Sequence, residues 1–443
     1  MSLRMFACFV KLIPQSPPHP RLYLLLHARN GGRDAAGGPL SAPARARLVV
    51  VGAGLAGVHL ARSLPPALRE AGETLVVDRS ETYAFAPLIH EVAAGRLHPD
   101  SVTLPVRPAL RGRCGFLRAE VKSVDLSGSS LLTSEGEISY EYLVLAPGSE
   151  AVPPPEHLSP HFLPFHTLRD ALRLRSALAA AWREALREPA PQAPAVAVVG
   201  GGTTGVELAA EFAALSAYLR RRSGRRARPG LRVVLFEATG RLMGWLDPYF
   251  HEVALEELGR LGVEVRLRSP VEGASGEGVL AGGKWFSARV RVWAAGVRAA
   301  RLVRGLPVRH GDGGRAEVGP HLTLPAHPNV YVLGDSALRE GPGAGPLPPT
   351  GSAAVQQGPY AARDVGRRLR GARRPPFRFV DRGYAVSLGP ESAVANPFGR
   401  RMRGTPAQAL YRSVLLYYLR GRRQRLLAAS DWAMERVGRL GFA

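Results

Sequence analysis

Two glycine turns, and the acids that follow them, are the residues of this chain whose type and spacing suit a particular chemistry. Gly52, Gly54 and Gly57 follow the apolar run Arg47-Leu-Val-Val-Val-Gly52 and open a helical pattern from Val58 to Leu68. Glycines at that spacing allow a tight turn, close approach of main-chain N–H groups to a pyrophosphate, and close packing of helix on strand. Asp78 ends the next apolar run, 21 residues after Gly57, where a carboxylate can accept both hydroxyls of an adenosine ribose. The pattern repeats at Gly200, Gly202 and Gly205, which follow Ala195-Val-Ala-Val-Val-Gly200, and the matching acid is Glu237. Here the gap is 32 residues, lengthened by the arginine-rich segment Arg220 to Pro229. Glu237 would repel a 2′-phosphate and so favours NADH over NADPH; the arginines either form a solvated connection or hold a phosphate. A third signal is Gly334-Asp335 after Val330-Tyr-Val-Leu, a carboxylate placed to accept from a ribityl chain. Two dinucleotide sites with no metal-ligand cluster point to a bound flavin that takes hydride from a diffusible nicotinamide.

Each turn reads as strand, glycine turn, helix, which implies two doubly wound α/β domains. The run at Val330 reads as the last strand of the first domain, so the second domain is inserted into it. The expected layout is an FAD-binding domain over 46–155 and 297–375, an NADH-binding domain over 156–296, and a small α+β module over 376–443. The whole is two Rossmann-like domains plus a membrane-docking module. Residues 1–45 read as a disordered extension or a start codon assigned too early. In the last module the sequence predicts short strands from Phe377 to Leu388 and helical segments over Pro406 to Leu419 and Asp431 to Val437.

The chain has 443 residues and ordinary globular composition, but 59 bases against 36 acids leave a net charge of +23. The excess is lopsided: residues 1–47 carry +6 and residues 363–443 carry +13, leaving +4 between them. Cys8 and Cys114 make neither a disulfide framework nor a metal knuckle. No run of 18 apolar residues is free of charge, so no spanning helix is expected. In the segment 406–419, Leu410, Val414, Tyr417 and Tyr418 recur at helical spacing and arginines flank them on both sides. That combination suits a helix lying in an anionic lipid surface; the same face could instead pack on the body or pair two copies in a homodimer. Trp432 reads as an interfacial tryptophan. No recognition helix or aromatic-interleaved basic sheet supports nucleic-acid binding.

With these pieces in place the sequence resembles the type II NADH dehydrogenases, single-subunit NADH:quinone oxidoreductases that do not pump protons. The resemblance covers about residues 47–440 and rests on Phe85-Ala-Pro-Leu-Ile-His-Glu-Val-Ala-Ala-Gly95, Tyr142 to Ser149, Gly200 to Ala209, Trp293 to Val297, Val332 to Asp335 and Gln356-Gln-Gly358. It implies that Gly52, Gly54, Gly57, Asp78, Gly148, Gly334 and Asp335 bind FAD, with Pro87 and Leu88 near the flavin ring. Gly202, Thr204, Gly205, Glu237 and Gly296 would line the NADH site. Glu207 would sit near nicotinamide and flavin, and Ser352, Gln356 and Gln357 would face the quinone, with Glu207 and Gln356 as the residues closest to catalysis. The plain reading of Glu207 is a carboxylate stabilising a helix N-terminus. The resemblance also implies a peripheral enzyme on the cytoplasmic face of the cell membrane, feeding a respiratory chain. Three residues depart from the family pattern: Ser352 stands where the quinone segment has glutamine, Pro147 where a turn has threonine, and Pro359 in what should be an early helical turn. The alternatives are a soluble NADH oxidase or reductase of another acceptor, and a flavin-bound redox sensor. A sulfide:quinone reductase would need cysteines beside the flavin.

Overall fold

The computed structural model describes residues 45–70, 72–187, 193–222, 230–340 and 345–434. The expected extension up to residue 44, residues 223–229 of the arginine-rich segment, and residues 435–437 of the last expected helix lie outside the described residues.

Strand β1 (Arg45–Val51) opens with exposed Arg45 and Arg47 and then runs buried from Leu48 to Val51, the composition of a parallel strand covered on both faces. It pairs in parallel with β2 (Thr74–Asp78), which pairs with β3 (Gly115–Arg118). An antiparallel meander, β4 (Val121–Asp125), β5 (Ser130–Thr133) and β6 (Gly136–Leu145), returns to the other side of β1. Helix α1 (Leu55–Ala61) crosses from β1, and α2 (Ile89–Ala93) follows a 3-10 turn at Ala86–Leu88.

The chain then leaves this sheet. Helix α3 (Leu168–Ala185) opens with a reciprocal capping box between Thr167 and Asp170, which satisfies two of the first-turn N–H groups. A second, all-parallel sheet has the order β7-β11-β8-β9-β10, comprising β7 (Leu163–Pro164), β8 (Ala195–Val199), β9 (Arg232–Phe236), β10 (Glu264–Arg266) and β11 (Val290–Trp293). Helix α4 (Thr203–Arg222) joins β8 to β9. The outgoing and returning chain run side by side, with Ser149–Ala151 pairing antiparallel to Val297–Ala299. Strand β12 (Val330–Val332) then pairs with β6, so the chain returns to the first sheet after building the second.

Helix α5 (Gly351–Leu369) is capped by Thr350, whose hydroxyl accepts from the Ala353 amide at 3.3 Å. It starts eight residues before Pro359, so the proline lies well inside the helix and not in its early turns; it removes the N–H that would bond the Val355 carbonyl. The C-terminal module also differs from expectation. Residues 377–384 form no strand, and the three-stranded sheet is β13 (Ala385–Ser387), β14 (Ala393–Ala395) and β15 (Met402–Gly404). Helix α6 (Thr405–Tyr418) buries Ala407, Gln408, Tyr411 and Leu415, while α7 (Arg422–Met434) begins earlier than its sequence pattern suggests. No described helix is long and apolar enough to cross a membrane.

Candidate active site

The two glycine turns are built alike. Gly52 has φ 102° and Gly200 φ 110°, and a Cβ on either would overlap the main chain of the next parallel strand, at Ala146 and Ala294. A Cβ on Gly57 or Gly205 would overlap the carbonyl of Gly52 or Gly200, so these glycines let each helix close onto its own strand. Around Gly54 and Gly202, by contrast, nothing lies within 4 Å of a notional Cβ. Those are the positions where a pyrophosphate approaches the main chain, so the space fits the group. The acids match as well. Asp78 accepts the Ala53 amide on Oδ2 (2.7 Å) and the Ser80 amide on Oδ1 (2.8 Å). Glu237 accepts the Gly201 amide on Oε2 (2.7 Å) and the Thr239 amide on Oε1 (2.7 Å). Each carboxylate is thereby aimed across its turn and keeps lone pairs for ribose hydroxyls.

Asp335 sits at the end of β12 and accepts the Ser149 hydroxyl at 2.7 Å; the Ser149 carbonyl in turn contacts His166 Nε2 at 2.8 Å. Gly148 is tied to the same turn, its carbonyl accepting the Ser336 hydroxyl at 2.6 Å. Gly296 lies on the returning chain, its carbonyl accepting the Val152 amide. Thr204 is half-buried in the first turn of α4. Of the Pro87-Leu88 pair only Pro87 keeps accessible surface, since Leu88 is fully enclosed in the core.

Glu207, on the opening turns of α4, does not cap its own helix. Its Oε1 accepts the Tyr411 hydroxyl (3.1 Å) from α6 and the Ser387 amide (3.4 Å) from β13. Tyr411 Oη also approaches the Pro87 carbonyl at 3.5 Å. A single hydroxyl therefore joins the segment beside the first turn to the helix of the second. Burial pushes the Glu207 carboxyl up to about 8, and the nearby Glu91 and Glu211 push the same way, against the donors Ser387 and Tyr411, which favour the carboxylate. His90 Nδ1 lies 3.8 Å from Glu207 Oε2. Burial, aided by the charge of Arg96, holds the imidazole down to about 3, so the two face each other as neutral groups and not as an ion pair. Behind them Arg96 lies fully enclosed, 2.7 Å from both Glu91 and Glu211.

The quinone segment is arranged differently from expectation. Gln356 Nε2 donates to the carbonyls of Ser352 (3.2 Å) and Val380 (3.1 Å), and its Oε1 accepts the Val380 amide (3.0 Å). Both amide N–H groups are taken, so Gln356 clamps the start of the C-terminal module and has no donor left for a quinone carbonyl. Gln357 is buried, and its Oε1 accepts the Gly334 amide at 2.6 Å; it steadies the Gly-Asp turn. Ser352, half-buried one turn before Gln356, is the member of the three without a side-chain clamp of this kind. Trp432 is not interfacial: it is buried, and its indole N–H donates to Glu91 Oε2 at 2.6 Å.

Tyr411, Ser387, His90, Arg96 and Glu211 escaped the sequence reading. The only signal for any of them was charge beside or within apolar segments, Arg96 just past the helix Ile89–Ala93 and Glu211 inside α4. Cys114, the one cysteine among the described residues, is half-buried with its thiol pushed up to about 12 by burial, an unreactive setting.

The type II NADH:quinone oxidoreductase Ndh of Mycobacterium tuberculosis (strain ATCC 25618 / H37Rv) is 29% identical over 416 residues, covering 88% of each chain. The type II NADH:quinone oxidoreductase of Staphylococcus aureus (strain NCTC 8325 / PS 47) is 28% identical over 377 residues, covering 82% of this chain and 92% of that one. A structure of NDH2 from Plasmodium falciparum in complex with NADH shares the fold with a TM-score of 0.77, at 16% identity over 88% of this chain and 97% of that chain. The family model for pyridine nucleotide-disulphide oxidoreductases matches residues 46–358, both glycine turns and the Gly-Asp turn included. The chain belongs to the pyridine nucleotide-disulphide oxidoreductase family.

Proposed function

We propose that the chain is an FAD-dependent NADH:quinone oxidoreductase that moves two electrons from NADH to a quinone without pumping protons. The observation that carries this reading is Tyr411, whose hydroxyl spans Pro87 of the first domain and Glu207 of the second, where two dinucleotides held by the two glycine turns would meet. FAD would lie along Gly52, Gly54, Gly57, Asp78, Gly148, Gly334 and Asp335, with Pro87 beside its ring system. NADH would lie along Gly202, Thr204, Gly205, Gly296 and Glu237, whose carboxylate disfavours a 2′-phosphate.

The bound flavin supplies the hydride and electron chemistry. The protein orients both cofactors and manages a proton. Glu207 holds that proton at neutral pH, and its side chain keeps 15% exposure, an opening through which the proton can pass. In this reading Ser352 would contact the acceptor, since Gln356 and Gln357 bond main-chain groups. Val414 and Tyr417 sit on the outer face of α6, Tyr417 43% exposed, and Leu426 of α7 is 61% exposed. With their flanking arginines they suit a peripheral seat on an anionic lipid surface at the cytoplasmic face of the cell membrane; pairing of two copies into a homodimer through this face is the competing use.

The test is NADH oxidation by purified protein with a short-chain quinone while the flavin spectrum is followed. Stoichiometric FAD, bleaching by NADH and recovery on adding quinone are expected. Protein without flavin, or a reduced flavin that quinone does not reoxidise, would overturn the reading.

A further inference from the structure

A cavity of about 230 Å³ opens where the C-terminal end of α1, the middle of α5 and the C-terminal end of α6 meet; His59, Arg62, Gln356, Arg382, Tyr417 and Arg420 line it. Three arginines border this space and, among the described residues, no carboxylate does. It lies at the far end of α1 from the pyrophosphate turn, about 10 Å along the helix.

Its charge is uncompensated and its geometry is held. His59 Nδ1 bonds the Leu55 carbonyl at 2.8 Å, so it carries the proton, and Nε2 accepts from Arg420 Nε (3.0 Å) and Nη2 (2.8 Å). Burial and the adjacent Arg420 hold the imidazole down to about 4. A neutral acceptor thus positions Arg420 without cancelling its charge, which a carboxylate would do. Tyr417 supports the same guanidinium, with Arg420 Cζ 5.4 Å from the ring centroid. Arg62 is pulled down to about 10 by burial and by Arg111, Arg420, Arg113 and Arg425, all of them cations. Arg382 Nη1 reaches Tyr418 Oη at 3.5 Å. The acid next to it in sequence, Asp381, accepts the Gly383 amide in an exposed turn.

Close spacing of guanidiniums without an acid is unfavourable unless an anion completes the set. The exposed Tyr417, with Tyr418, Val355 and Pro359, gives the cavity an apolar lining beside this charge, of use to an amphiphile and not to a free ion. We propose that the Arg62–Arg382–Arg420 basin binds a phosphate-class anion, the phosphodiester headgroup of an anionic lipid. The inference rests on the reading that α6 and α7 face a lipid surface, and it replaces diffuse attraction with a discrete site.

The test compares co-sedimentation of holoenzyme with vesicles of phosphatidylcholine alone and with added phosphatidylglycerol. The Arg62→Gln/Arg382→Gln variant should lose binding to the anionic vesicles by roughly tenfold or more, and Arg62→Lys/Arg382→Lys should recover most of it. The control Arg373→Gln/Arg400→Gln removes equal charge from exposed positions and should lose only a few-fold. Equal losses in both double variants would overturn the site in favour of diffuse attraction. Saturable thermal stabilisation by inorganic phosphate that the basin variant lacks, with vesicle binding unaffected, would overturn the lipid as its source. Flavin absorbance and turnover with a water-soluble quinone, read on the same samples, keep the two readings apart. A basin that fails in a flavin-loaded, active enzyme removes this inference alone, whereas protein without flavin removes the functional reading.

Discussion

Two buried histidines sit in opposite electrostatic surroundings. His90 looks toward Glu207 with Glu91 and Glu211 behind it, and His59 holds Arg420 with Arg62 beside it. Both imidazoles are kept neutral by burial and a neighbouring arginine, so neither acts as a charge. The difference lies in what balances the groups around them. On the acidic side Arg96 lies between two carboxylates inside the protein and offsets part of their charge, and Glu207 is left to hold a proton. On the basic side no acid among the described residues borders the cavity, and an anion from outside would supply the balance. A compensated cluster supports the fold and a proton; an uncompensated one seeks a ligand.

The sharpest way to break this contrast is to remove the internal compensation. Arg96→Met removes the cation that lies between the enclosed carboxylates of Glu91 and Glu211 and should destabilise the protein by about 3–5 kcal/mol, seen as an early thermal transition, and adding Glu211→Gln should recover part of the loss. Next in size, Glu207→Gln should keep FAD while turnover falls by about 100-fold. In the parent enzyme turnover should drop as pH rises through about 8, where Glu207 loses its proton, and the variant should lack that limb. The sign for stability agrees. A carboxyl raised in the folded state contributes fully below its ordinary value and loses that contribution as pH climbs through about 8, so the parent should be more alkali-sensitive than Glu207→Gln. Tyr411→Phe removes a donor that favours the carboxylate. The alkaline limb should therefore move to higher pH, at a stability cost of about 1 kcal/mol. The smallest effect sharpens the basic side: because His59 protonates only near pH 4, anionic-vesicle binding should weaken with salt yet stay flat between pH 5 and 7.5. A titration near 6.5 there would mean that His59 is not the neutral clamp described.

The parts of the site legible in the sequence are those whose geometry is local. A glycine turn between strand and helix places its amides within a few consecutive residues, and the acid ending the next parallel strand is brought alongside by the β-α-β crossover itself. Asp78 and Glu237 therefore lie where their spacing puts them, each bonded to an amide of its own turn. The glutamines show the boundary of this logic. Residues 352, 356 and 357 share one helix, yet its rotation sends Gln357 to the Gly334 turn and Gln356 to Val380, and residue type and spacing do not say which neighbour waits on each side. Trp432 is a similar case: the amphipathic pattern around it does not reveal a buried glutamate partner 341 residues away in sequence.

By itself, the sequence determined that this chain has two dinucleotide-shaped turns, the acids that match them, and a basic C-terminal segment with helical apolar spacing. Each of these is a pattern of near neighbours, for which backbone geometry and side-chain chemistry suffice. Only the tertiary structure decided the state of Glu207, because its donors Ser387 and Tyr411 lie 180 and 204 residues away in sequence. It alone decided that one group of arginines lines a cavity with no acid among the described residues. Protonation and charge balance are properties of what surrounds a group in space, and that surrounding exists only once distant segments have packed together.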